Sequence, residues 1–166
     1  MNIELIRAPR EAAPVLDNLF QYYVYDFSEV IGVDVADDGK FARRSCEVYW
    51  EDAWRHPFLA RVAGQYAGFA LVHQRSHLSA DPAVCDVAEF FVLRKYRRRG
   101  VGAALARQLF ELFPGRWEVR QLLANEAATR FWRSVIADYT RGHFEEITSD
   151  TERWRGPVQR FDNAKR

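Results

Sequence analysis

At 166 residues the chain has room for one domain built on one core. Apolar residues make up 48% and charged residues 28%, which supplies enough buried surface to fold and excludes intrinsic disorder. Lys plus Arg (24) nearly cancels Asp plus Glu (23), so the net charge of +1 excludes the protein-wide basic field of a nucleic-acid binder.

That balance is not uniform. From Glu11 to Trp54 ten acidic residues face three basic ones (Lys40, Arg43, Arg44), while from Arg94 to Arg133 ten basic residues face three acidic ones. The two cysteines, Cys46 and Cys85, make no disulfide framework and no Cys-x-x-Cys pair. The start, Met1 to Arg7, lacks the apolar run of a signal peptide, and no apolar stretch approaches the ~20 residues that cross a bilayer. The expected setting is cytoplasmic, with no membrane partner.

In chain order, Ile3 to Ala8 alternates as a strand. Glu11 to Tyr25 repeats at helical spacing through Val15, Leu16, Leu19, Phe20 and Tyr23. Asp26 to Lys40 is acidic and ends in a turn at Asp37-Asp38-Gly39. Phe41 to Arg55 reads as a short helix stopped before Pro57. Phe58 to Ala63 and Tyr66 to Gln74 form a hairpin about Gly64-Gln65. Ala83 to Leu93 is a strand, Gly100 to Phe113 a helix ended by Pro114-Gly115, and Trp117 to Leu123 a further strand. Asn125 to Val135 predicts a helix, and Tyr139 to Ile147 with Pro157 to Phe161 two closing strands. There is no repeat or linker, so residues 1–166 form a single α/β (α+β) domain about one central sheet.

The stretch that carries chemistry runs from Glu89 to Ala103. A strand ends in Phe91-Val92-Leu93, a basic turn follows, and Gly100 and Gly102 open a helix. Amides at a helix start lack intrahelical partners and sit at the positive end of the macrodipole. Glycines let a ligand approach the backbone, and the product is a pyrophosphate cradle. A Walker loop does not fit, and a dinucleotide fingerprint fails because position 105 is Leu. Arg97-x-x-Gly100-x-Gly102 after a strand resembles the acetyl-CoA motif of the GNAT superfamily of N-acetyltransferases. Asn125-x-x-Ala128-x-x-Phe131-Trp132 is similar to that family's Asn-x-x-Ala-x-x-Phe/Leu-Tyr segment.

The resemblance implies a twisted, mixed but mostly antiparallel sheet flanked by helices. It also implies acetyl-CoA as cosubstrate and transfer to a primary amine in a ternary complex. Under it, Arg97, Arg98, Arg99, Gly100, Val101, Gly102 and Ala103 hold the pyrophosphate, and Asn125 adds a contact. Main-chain groups of Phe91, Val92 and Leu93 pair with the pantetheine arm, and the Val92 amide serves as oxyanion donor.

An amine of pKa about 10.4 must lose a proton before it attacks. Glu89 is the candidate general base, with Asp86 as fallback. The family's tyrosine acid is replaced by Trp132, which leaves Tyr139 or water to protonate the thiolate. The alternative is a non-catalytic acyl-CoA-binding protein. Arg94 to Arg99 could also suit nucleic acid, but the net charge argues against it. His56, His73, His77 and His143 show no metal-ligand spacing, so no metal is expected. The acidic, aromatic early region, with Tyr25 and Asp26 as candidate substrate contacts, suits a small cationic molecule or a peptide amine. A monomer or homodimer is expected.

Overall fold

A computed structural model describes residues 2–42 and 45–164; the part of the early charge count that rests on Arg43 and Arg44 lies outside them. Seven strands form one sheet in the order β1-β2-β3-β4-β5-β7-β6. They are β1 (Ile3–Arg7), β2 (Arg55–Val62), β3 (Gln65–His73), β4 (Val84–Val92), β5 (Arg116–Arg120), β6 (Glu145–Asp150) and β7 (Arg155–Asp162). Only β4 and β5 run parallel; every other pair is antiparallel. Three helices flank the sheet: α1 (Ala13–Ile31), α2 (Val101–Leu112) and α3 (Glu126–Thr140). This is the mixed, mostly antiparallel sheet the sequence implies.

Each face of the sheet has its own core. Cys85, Val87, Trp117 and Val119 pack with Leu109, Phe110, Trp132 and Ile136 of α2 and α3. Leu59, Phe69, Leu71 and Phe91 pack with Leu16 and Leu19 of α1 on the other face.

Two helices run longer than their sequence patterns predict. α1 continues six residues past Tyr25 because acidic residues do not break a helix. Phe27 stacks on Tyr23 at 5.4 Å, and the helix stops at Gly32, whose φ of 64° is the left-handed conformation of a C-cap. α3 continues past Val135 because Ile136 and Tyr139 extend its buried stripe, so Tyr139 is helical and the next strand begins only at Glu145. Between Phe41 and Arg55 the expected short helix is a single 3-10 turn, Cys46–Trp50.

Two irregularities of the sheet shape the site. Val87 pairs with Val72 and Glu89 with Leu71, so Ala88 is an extra residue, a β-bulge. Strict alternation from Cys85 and Val87 would send Glu89 and Phe91 toward α2 and α3; the bulge turns both onto the α1 face. Second, β5 leaves β4 after Val119 and stays on β7, with the Gln121 N–H bonded to the Pro157 carbonyl at 3.1 Å. Gly156 permits this, since a Cβ there would stand 2.2 Å from the Gln121 carbonyl oxygen. A gap therefore opens beside the second half of β4.

Candidate active site

The gap edge of β4 presents main-chain groups. The Leu93 N–H donates to Ala67 on β3 at 2.8 Å and the Leu93 carbonyl accepts from Tyr96 at 2.9 Å. Phe91 also points its carbonyl at β3, where a Cβ on Gly68 would meet it at 2.0 Å. Antiparallel alternation then directs Val92 into the gap. The main-chain groups of Phe91 and Leu93 are thus turned to β3 and the turn, and Val92 alone of the three faces the gap. Its carbonyl is held by Arg97 Nε at 2.6 Å.

Just beyond, Arg98 (φ 58°) and Gly100 (φ 76°) both adopt positive φ, and α2 starts at Val101 with no side-chain cap. Positive φ is uncommon for a residue with a side chain, so the turn is tightly specified. A turn of this kind can present successive amides to an anion as a nest, and N–H groups of a first helical turn, which lack intrahelical partners, can extend it. A Cβ on Gly100 would meet nothing within 4 Å, so the cradle is open there. Gly102 is different: a Cβ would meet the Phe131 ring at 3.1 Å, and its bareness serves the packing of α2 on α3.

Arg98 and Arg99 are exposed beside the nest. Arg97 is instead tied to Asp26 of α1, which also pairs with Arg94 at 2.8 Å. Asp26, a candidate acceptor contact by charge, thus braces the basic turn, and Tyr25 stands 63% exposed. Asn125 caps α3, its Oδ1 accepting from the Ala128 N–H at 3.1 Å.

On the α1 face the groups are side chains. Glu89 accepts a hydrogen bond from the Tyr23 hydroxyl at 2.5 Å. Burial first, then the Glu89 carboxylate, push the Tyr23 hydroxyl well above its usual range, so it keeps its proton as donor. A cavity of about 230 Å³ opens beside Glu89, lined also by Phe20, Val48, Tyr49, Arg55 and Leu71. Tyr49 contacts His73 Nε2 at 2.9 Å, and burial, then the Arg55 charge, lower the His73 imidazole to about 4. Asp86 is fully buried and bidentate with Arg120 at 2.7 and 2.8 Å, which removes it as a mobile base.

Tyr139 is not part of this cluster. Its hydroxyl accepts from Asn163, which also donates to the Phe110 carbonyl and accepts from the Gly115 N–H. That places it at the start of β5, beside the opposite end of β4 from Val92. Trp132 is buried against Phe90 and Phe131, both at 5.0 Å. Among the described residues no group of three His, Cys, Asp or Glu side chains could hold a metal, and no helix is long and apolar enough to cross a membrane. Arg55 leaves no spacing signal in the sequence, because it stands two strands from Glu89.

The Acetyltransferase (GNAT) family matches residues 18–135. No curated protein matches. Among solved structures, an acetyltransferase from Thermus thermophilus aligns with a TM-score of 0.71 at 13% identity, over 98% of this chain and 97% of that one. Aminoglycoside acetyltransferase AAC(6')-Ib, solved with coenzyme A and kanamycin, aligns with a TM-score of 0.68 at 14% identity, over 97% and 95%. The PaiA N-acetyltransferase of Thermoplasma acidophilum, in complex with coenzyme A, gives 0.66 at 9% identity, over 98% and 99%.

Proposed function

Because this chain belongs to the GNAT family of acetyltransferases, we propose that it moves the acetyl group of acetyl-CoA to a primary amine held beside Glu89, with both substrates bound at once. The observation that carries this reading is the division of β4. Val92 and the nest before α2 line one edge, and Glu89, turned by the Ala88 bulge, faces a cavity on the other side. The residues fit the cosubstrate: open amides and exposed Arg98 and Arg99 suit a pyrophosphate, and the freed edge of β4 suits the amide groups of a pantetheine arm.

Acetyl-CoA supplies an activated acyl group. The Val92 N–H would stabilise charge developing on the acyl oxygen, and one such donor is worth about 10²–10³ in rate. Glu89 would take one proton of the ammonium; the C–N bond then forms as the C–S bond breaks, and the nitrogen's second proton leaves to the water that protonates the sulfur. Thiols ionise near about 8.5, so the departing sulfur needs little help and can take its proton from water. That agrees with Trp132 in the place of the family's tyrosine.

The same tryptophan favours the second reading, an acyl-CoA-binding protein without turnover. Thiol release from acetyl-CoA across a panel of amines decides between them. Amine-dependent release supports the enzyme. Binding of acetyl-CoA without release supports the second reading, and absence of binding contradicts both.

A further inference from the structure

We propose that the acceptor is an amphoteric amine, a free α-amino acid with an apolar side chain, its ammonium at Glu89 and its carboxylate on Arg55. This rests on the acyl-transfer reading above and narrows its substrate.

The charge count predicts a cationic acceptor, but the cavity is not purely acidic. Glu89 and Arg55 both line it, with Phe20, Val48 and Leu71 supplying an apolar wall. Arg55 pairs with His73 on β3, and Glu89 with Leu71 of the same strand. Strand spacing and rise put the two Cα atoms roughly 12 Å apart, and their side chains reduce that to the span of a small molecule.

Arg55 is held flat by aromatic rings and ion-paired with Asp52, yet among the described residues its hydrogen-bonding fork is not used within the chain. Its guanidinium lies over the Trp54 ring at 4.6 Å and the Tyr49 ring at 5.7 Å. Asp52 approaches Nε at 3.1 Å without the alignment of a hydrogen bond, and Nε is a buried donor with no hydrogen-bond partner. Among the described residues no N–H of this side chain donates a hydrogen bond. Buried donors are normally paired, and a guanidinium fork matches a carboxylate in two parallel bonds. A polyamine would instead set a second positive charge against Arg55, a like-charge contact that selects against it.

The test measures thiol release from acetyl-CoA with L-leucine, L-phenylalanine, their carboxamides and spermidine. The carboxamides keep the amine and lose the carboxylate. Calorimetry of the same compounds against the CoA-loaded protein accompanies it. The free acids should exceed their amides in kcat/KM by about tenfold or more, mainly through KM, as expected for a charge-assisted pair. Arg55→Gln should erase that ratio, and Arg55→Lys should restore part of it. Equal or better use of the amides or spermidine by the unmodified protein overturns the inference while leaving acetyl transfer intact. An acid-to-amide ratio unchanged in a folded Arg55→Gln protein overturns it too. If none of these compounds is turned over, calorimetry decides: Arg55-dependent binding of the free acids supports the amphoteric site, and its absence overturns it.

Discussion

The two sides of β4 are made of different material. On the gap side the proposed contacts are main chain: the Val92 N–H, the turn at Arg98 and Gly100, and the first amides of α2. On the α1 side they are side chains drawn from separate segments: Glu89 from β4, Tyr23 from α1, Tyr49 from the 3-10 turn and Arg55 from β2. A backbone site depends on where the chain can turn, so it tolerates most substitutions that keep the turn. A side-chain site depends on identity at each position, so single changes remove chemistry without disturbing the fold.

The sharpest way to break that contrast is Glu89→Gln. Loss of a general base should lower kcat by about 10²–10⁴, while acetyl-CoA affinity stays as in the unmodified protein. Stopped-flow and calorimetry check both, and parallel loss of affinity would show that the two sides are not separable. The converse change is Gly100→Asp. Aspartate tolerates a positive φ, and the site has space for a Cβ, but its carboxylate would stand beside the proposed pyrophosphate cradle. Acetyl-CoA should bind at least about tenfold more weakly from that repulsion, with Gly100→Asn as the neutral control of the same shape.

Gly68→Ala should damage both sides together. Its Cβ would meet the Phe91 carbonyl, so β4 must shift at the point that divides them. A stability loss of about 1–3 kcal/mol is expected, read by urea denaturation, with weaker cofactor binding and slower turnover.

A pH dependence of stability is expected from the Tyr49–His73 pair. His73, held near 4 in the fold against about 6.5 in the unfolded chain, binds fewer protons when folded. Stability should therefore rise with pH between about 4 and 6.5, by at most on the order of 3 kcal/mol. It is lost as pH falls through that window, and His73→Gln should flatten the slope.

The same contrast explains what the sequence made legible. Gly100 and the arginines before it announce a turn and a helix start in adjacent residues, so the cradle could be found by spacing. Gly102 could not be told from Gly100 by spacing, because only the approach of Phe131 reveals its packing role. The acceptor side depends on the Ala88 bulge, which flips Glu89 from one face of the sheet to the other and leaves no mark in the apolar run of Val84, Val87 and Phe90. Asp26 misled for the same reason. Its charge is visible in the chain, but the partners that occupy it, Arg94 and Arg97, are 68 and 71 residues away. The sequence pattern predicts a strand from Tyr139, but the buried stripe of α3 runs past Val135 and takes Tyr139 into the helix.

The central claim is that β4 and the start of α2 form a coenzyme A site beside Glu89. Calorimetric titration of the unmodified protein with acetyl-CoA, alongside Gly100→Asp and Glu89→Gln, tests it most directly. The account predicts saturable one-to-one binding to the unmodified protein and to Glu89→Gln, and marked weakening in Gly100→Asp. A flat titration of the unmodified protein, or equal affinity in Gly100→Asp, would contradict it.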